Sequence, residues 1–340
     1  MTTAVGILGT GSYLPDRVVG NAEVADAVGV DPGWIEQRTG VVERRRAAPD
    51  QAASDLAVPA AAAALAAAGV AAGDLRYVVV ATSTPDRPQP ATACLVQDAL
   101  GAGRAAAFDL NAVCSGFLFA LGAVQRMLLA EGGGYGLVIG SDVYSRILDH
   151  TDRRTAVLFG DGAGAVVVGP VPPGHGLLGL ELRSDGRHHG LIGVPAGGSR
   201  LPASAETVAD GAHFFRMDGR AVRRYVAEHV PPMIGSLLRA HGAGGVDHFV
   251  PHQANGVMLI ELAGRLGLTE QTRLTVRQYG NTGAASLPVT LDDAVRRGVV
   301  RGGDVVLLAA FGGGMAMGGA LERWGGATAL ERATEELRAS

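Results

Sequence analysis

Short apolar runs alternate along this chain with longer stretches whose apolar positions recur at helical spacing. "AVGILGTG" (4–11), "YVVVATS" (77–83), "AAAFDL" (105–110), "YGLVIGSD" (135–142) and "AGAVVVG" (163–169) are brief and almost continuously apolar, which predicts strands buried mostly on both faces. Between them, 21–29, 54–69, 91–101 and 115–132 carry helix-type spacing. Pro59 is expected near the first turn of its helix, where the missing N–H is tolerated. After the Pro/Gly-rich link "GPVPPGHG" (169–176) the order roughly repeats, with strands at 177–186, 246–252 and 303–314 and helices at 219–242, 254–267 and 286–298. The pattern predicts two similar α/β halves, 1–170 and 171–324, packed together and followed by a polar, helix-prone tail at 325–340.

Composition narrows the class. Of 340 residues, 47% are hydrophobic and 18% charged, enough for a well-buried core. The 51 glycines fall in short runs beside apolar segments, as tight strand-to-helix connections require. A formal net charge of −4 argues against broad nucleic-acid binding. Two cysteines supply neither a disulfide framework nor a Cys-rich zinc site. The N-terminus lacks a basic region followed by a long apolar run, and no stretch of about 18 consecutive apolar residues stands out. A soluble, cytoplasmic protein that neither enters nor spans a membrane is therefore expected. All 29 basic residues are Arg, so chemistry needing a lysine amine is excluded: a P-loop, pyridoxal catalysis and Schiff-base aldolases.

The candidate chemistry begins in "AFDLNAVCSGFLFALGAV" (106–123), where Cys114 follows a strand and precedes a helix. A thiol there feels the positive end of the helix dipole, and the turn offers backbone N–H groups to an oxyanion. A buried structural cysteine is an equally good reading of this stretch. Cys94, mid-helix in "ATACLVQ", reads as structural. The balance moves with "FVPHQAN" (249–255), where His252 also stands between strand and helix, with Gln253 and Asn255 beside it. In "YGNTGAASLP" (279–288), Asn281 lies in a Gly-rich turn opening another helix. Parallel strands would gather these three positions at one sheet edge. A zinc site on His248 and His252 has only Asp247 as an obvious third ligand, so no metal is expected.

The sequence resembles β-ketoacyl-ACP synthase III, thiolase-fold condensing enzymes that start fatty-acid and some polyketide chains. The likeness runs over 6–324 and rests on "WIEQRTGVVERR" (34–45), "NAVCSGF" (111–117), "TDRRTAVLFGDGAGA" (151–165), "PHQAN" and "YGNTGAAS". It implies a thiolase-like fold layered α/β/α/β/α, a homodimer, and no cofactor beyond acyl-CoA as substrate. By the same likeness Cys114 takes the acyl group from CoA, and His252 and Asn281 hydrogen-bond the malonyl-ACP thioester carbonyl as decarboxylation makes an enolate. The backbone N–H groups of Cys114 and Gly313 would form the oxyanion hole. Trp34 and Arg153 match positions that sandwich the CoA adenine, Arg38 one at its phosphate side, and Asn255 joins them as a CoA contact. Arg220, Arg223, Arg224 and Arg265 could make a basic landing patch for acidic acyl carrier protein.

Three departures bear on specificity. Gln89 stands where acetyl-primed members carry a Phe capping the primer pocket, "FGGGMAMGG" (311–319) replaces an aromatic-containing segment, and Val257 replaces an Arg facing the carrier. Together they suggest a remodelled pocket, lined by Tyr144, Phe159 and Phe215 beside Gln89, for a primer other than acetyl. The rival reading is acyl transfer through Cys114 to a hydroxyl, amine or carrier without condensation; an intact Asn281 favours condensation. Thiolase itself is disfavoured, because 311–319 holds no second cysteine. A binding-only scaffold would not keep all three residues.

Overall fold

In the computed structural model, residues 4–241 and 245–325 are described; the 325–340 tail lies, but for its first residue, outside them. The strands in chain order are β1 (Ala4–Tyr13), β2 (Arg17–Gly20), β3 (Glu43–Arg46), β4 (Leu75–Ala81), β5 (Ala106–Leu110), β6 (Tyr135–Val143), β7 (Asp161–Val171), β8 (Gly176–Ser184), β9 (Ile192–Gly193), β10 (Arg216–Met217), β11 (His248–Pro251), β12 (Val305–Phe311) and β13 (Ala316–Arg323). They form two main sheets, ordered β1-β7-β6-β4-β5 and β8-β13-β12-β11.

The two sheets repeat one design. In each, the first-formed strand pairs antiparallel with the last, the last antiparallel with the one before it, and that strand parallel with the next. β5 extends the first sheet in parallel, and a lone parallel bridge from Phe249 to Thr272 marks the same place in the second. The sheets are thus mixed, and only β4, β5, β6, β11 and β12 supply the parallel edges expected from sequence.

Five layers follow from strand alternation. Along β4, Tyr77, Val79 and Ala81 face one core while Val78 and Val80 face another. β12 does the same with Val306, Leu308 and Ala310 against Val305, Leu307 and Ala309. The inner faces of both sheets enclose the helices Gly116–Ala130 and Ser286–Arg296. Helices Ala53–Ala68 and Thr92–Leu100 cover the outside of the first sheet, and Gly219–His241 and Gly256–Leu266 the outside of the second. The run Val113–Ala130 is long and apolar enough to cross a bilayer. Here it is the central helix, with Phe117, Leu118, Leu121, Val124 and Leu128 fully buried.

The alanine-rich helix Ala53–Ala68 lies unusually close to β1. A Cβ on Gly11 would stand 2.3 Å from Ala60 O, so only glycine allows that approach. Pro59 falls at the seventh residue of this helix, inside it rather than in its first turn. At the interface of the sheets the buried Glu322 of β13 reaches β1, where Oε1 accepts Ile7 N–H at 3.0 Å. Among the described residues Oε2 has no partner.

Candidate active site

Each chemical residue is carried by the carboxyl end of a parallel strand or by a turn tied to one. β5 ends at Leu110, and Asn111 Oδ1 then accepts Val113 N–H at 3.0 Å. Val113 is forced to φ 49°, a left-handed geometry that costs a β-branched residue about 1–3 kcal/mol. That strained turn delivers Cys114, 7% exposed, just before the helix Gly116–Ala130. Ser115 Oγ locks the turn by donating to Ala316 O at 2.8 Å. On the facing side, a Cβ on Gly312 would lie 2.9 Å from Cys114 Cβ, so glycine is required there for close approach. Gly313 lies next, against Val113, its own built Cβ 3.0 Å from Val113 Cγ2.

His252 follows β11, its N–H bonded to Ala309 O at 2.7 Å, and its ring meets Phe311 edge-on at 5.5 Å. Its Nδ1 lies 2.6 Å from Ser286 Oγ, which also accepts Gln253 N–H at 3.1 Å. Among the described contacts of Ser286 Oγ, Nδ1 is the acceptor open to its hydroxyl proton, and a ring that accepts there carries its own proton on Nε2. Asn281 is bracketed by Leu158 and Gly160: its N–H donates to Leu158 O at 2.8 Å and its O accepts Gly160 N–H at 3.0 Å. Its side-chain Oδ1 accepts Gly283 N–H at 2.9 Å, which orients the amide NH2 as the remaining donor.

Burial sets the charge state. It pushes the Cys114 thiol up to about 12, helped by the nearby Asp142 carboxylate and opposed by the Tyr144 hydroxyl. This corrects the expectation of a dipole-stabilised thiolate: desolvation outweighs the helix end. Burial also brings His252 down to about 3, so the imidazole is neutral at physiological pH. The resting pair is a thiol and a neutral ring donor.

Tyr144, Phe159 and Phe215 form one aromatic cluster, with Tyr144 stacked on Phe159 at 4.4 Å and Phe215 edge-on to both. The Tyr144 hydroxyl lies 3.0 Å from Ser83 Oγ. Gln89 does not join them: it is exposed on the loop before the helix Thr92–Leu100.

A cleft of about 1870 Å³ is lined by Trp34, Arg38, Arg153, Asn255, Phe215 and Asn281. Trp34 and Arg38 stand one helical turn apart on Pro32–Thr39, a helix that Asp31 caps by accepting Gly33 and Trp34 N–H. The Asn255 side chain is already committed: Oδ1 caps the helix Gly256–Leu266 through Met258 N–H, and Nδ2 donates to Arg38 O. It fastens the cleft wall while itself lining the cleft. Arg220, Arg223, Arg224 and Arg265 do gather, around a shallower hollow of about 540 Å³, with Arg220 and Arg223 also on the cleft. Arg223 is paired with Glu261, and Arg265 donates to Ala227 O. His248 is tied to Asp304 and Arg273 rather than aligned with His252 for a metal. Among the described residues no three His, Cys, Asp or Glu side chains gather as a metal would require.

Sequence reading missed Ser286, Gly312 and Asp142. Ser286 was visible inside "YGNTGAASLP", but nothing in the spacing says that its hydroxyl meets His252. The other two act through contacts between distant segments.

A doubled mixed sheet in five layers, with a cysteine, a histidine and an asparagine collected at its loop edge, is the architecture of thiolase-like condensing enzymes. Residues 108–186 match the family described as 3-Oxoacyl-[acyl-carrier-protein (ACP)] synthase III, and residues 241–324 match its C-terminal part. The chain is 55% identical to acetoacetyl CoA synthase NphT7 of Streptomyces sp. (strain CL190), covering 94% of this chain and 98% of that protein. It is 45% identical to the beta-ketoacyl-[acyl-carrier-protein] synthase III of Syntrophomonas wolfei, with the same coverage of both chains. The priming β-ketosynthase of the R1128 polyketide pathway superposes with a TM-score of 0.87 at 34% identity, over 94% of this chain and 96% of that one. The chain belongs to the 3-oxoacyl-ACP synthase III family.

Proposed function

We propose that an acyl-CoA primes Cys114, with CoA leaving as the free thiol that takes up the cysteine proton, and that the acyl-enzyme condenses with a malonyl thioester, releasing CO2, a β-ketoacyl thioester and the regenerated Cys114 thiol. The observation that carries this reading is a pair of neutral donors, the His252 ring and the Asn281 amide, on turns gathered with that of the buried Cys114, with Asn281 also lining the large cleft. Neutral donors stabilise an enolate as it forms, whereas a carboxylate in place of Asn281 would oppose it. Simple acyl transfer makes no enolate and would not need the pair. No metal or cofactor enters the scheme. Trp34, Arg38 and Arg153 hold the CoA nucleotide, and the N–H groups of Cys114 and Gly313 receive the tetrahedral oxyanion.

Tyr144, Phe159 and Phe215, packed on one another, would border the acyl group, and a primer other than acetyl remains the reading of Gln89 and the 311–319 segment. For the acceptor, the arginines at the cleft mouth suit an acidic carrier, malonyl-ACP. A second reading, malonyl-CoA, is supported by the relative named for a CoA product. Halves at 1–170 and 171–324, a homodimer and a cytoplasmic location complete the proposal. Intact-protein mass spectrometry after acyl-CoA, then after malonyl-ACP or malonyl-CoA, tests it. Loss of a Cys114 adduct with release of CO2 supports condensation and identifies the carrier. An adduct that persists with both but discharges onto an alcohol or amine overturns it.

A further inference from the structure

Asp142, at the end of β6, is fully buried and stands outside the scheme above. Its Oδ1 accepts Ser83 N–H at 2.8 Å and is within 3.2 Å of the hydroxyls of Thr82, Ser83 and Thr84. Its Oδ2 accepts Ala284 N–H at 2.8 Å. The donor set suits an ionised, acceptor-only carboxylate. One oxygen therefore grips the loop that leaves β4, and the other grips the turn that leaves Asn281. In that turn, Gly283 N–H is the donor that orients the Asn281 amide. Gly283 also lies so close that a Cβ on it would stand 2.2 Å from Asp142 Oδ2.

We propose that Asp142 is a positioning residue for the enolate-forming step, holding the 283–284 turn so that Asn281 presents its NH2 to the substrate carbonyl. Accepting Ala284 N–H alone would be structural. What gives it a chemical role is its place one residue from the group that fixes the amide's orientation. The inference rests on the condensation reading and concerns only its second half-reaction. Priming needs the thiol and the oxyanion donors, and neither depends on which way the Asn281 amide points. Removing the negative charge beside Cys114 would, if anything, ease loss of the thiol proton.

Asp142→Asn is the variant to make. An amide cannot accept from both sides: with its oxygen toward the 82–84 loop, its NH2 confronts Ala284 N–H, and the reverse orientation sacrifices the loop. The expected result is acylation of Cys114 at the parent rate or faster, while malonyl decarboxylation by the acyl-enzyme falls about ten- to a hundredfold, the scale of a small misplacement of a reacting group. In an Asn281→Ala background the same substitution should then cost almost nothing further, because the residue it positions is gone. Should Asp142→Asn not fold, Thr84→Val loosens the same carboxylate isosterically and should show the same split at lower amplitude. Equal losses in both half-reactions, or an undiminished cost in the Asn281→Ala background, would overturn the inference. If the parent itself forms no acyl-enzyme or never decarboxylates a malonyl thioester, the condensation reading fails instead.

Discussion

At the scale of single residues, Cys114 and His252 share one environment with opposite consequences. Lost solvation raises the acid and lowers the base, so both sit neutral rather than as a preformed ion pair. With the thiol pushed up to about 12, its alkylation by iodoacetamide should rise about tenfold per pH unit from pH 7 to 10. A plateau below pH 9 would contradict this. With the imidazole at about 3, protonation of His252 should leave decarboxylation by the acyl-enzyme unaffected between pH 8 and 5. An inflection near the ordinary histidine value, assigned to His252 by its loss in His252→Gln, would show that burial is weaker than described. Trp34 offers a separate test. Stacking on an aromatic ring is worth about 1–3 kcal/mol per base, so Trp34→Ala should raise KM for acyl-CoA about five- to a hundredfold with kcat little changed. Loss of kcat alone would place Trp34 outside the nucleotide site.

Among elements, the cap at Asn255 joins two walls of the cleft, because one side chain holds both the helix Gly256–Leu266 and the backbone of Arg38. Asn255→Ala should lower stability by about 1 kcal/mol and raise KM for acyl-CoA, measurable by thermal melts and steady-state kinetics. A stable variant with unchanged KM would show that the tie is idle. The long apolar elements were legible in sequence, since buried strands and amphipathic helices announce themselves by period. The antiparallel pair of β2 and β3, with two helices between them, was not: "ERRR" (43–46) is a strand of charged residues, with Arg44 buried and bonded to Val19 O and Val157 O. Glycine-rich β13 was also hidden. At Gly319 the tips of Ile234 and Leu237 pack where a side chain would stand, a preference set by a helix some 80 residues earlier in the sequence. The helix Pro32–Thr39 carried a readable start, Asp then Pro, that periodicity over so few residues could not support. For the site, residue types at loop-to-helix positions pointed to Cys114, His252 and Asn281. The groups that orient them depend on contacts across the fold and could not be read from spacing.

For the molecule as a whole, Glu322 makes stability depend on pH. Burial raises its carboxyl from 4.5 to about 8, so the folded state holds a proton that the unfolded chain has released. The stabilisation is full below about pH 4.5 and is lost as pH rises toward 8, by at most about 1.4 kcal/mol per unit. Glu322→Gln keeps the acceptor for Ile7 N–H, and its melting temperature should exceed the parent's increasingly from pH 6 to 9. Parallel melting curves for the two proteins would show that Glu322 does not titrate there. The close seat of Gly312 against Cys114 has a different kind of consequence. The nucleophile leaves the ribosome long before the histidine, the asparagine and the glycine turn that complete its surroundings. A growing chain therefore carries a bare cysteine with no means of using it. On the proposed reading, the site is competent only once β12 and the Gly312 turn have docked, so a chain that stops before them carries the cysteine without its chemistry.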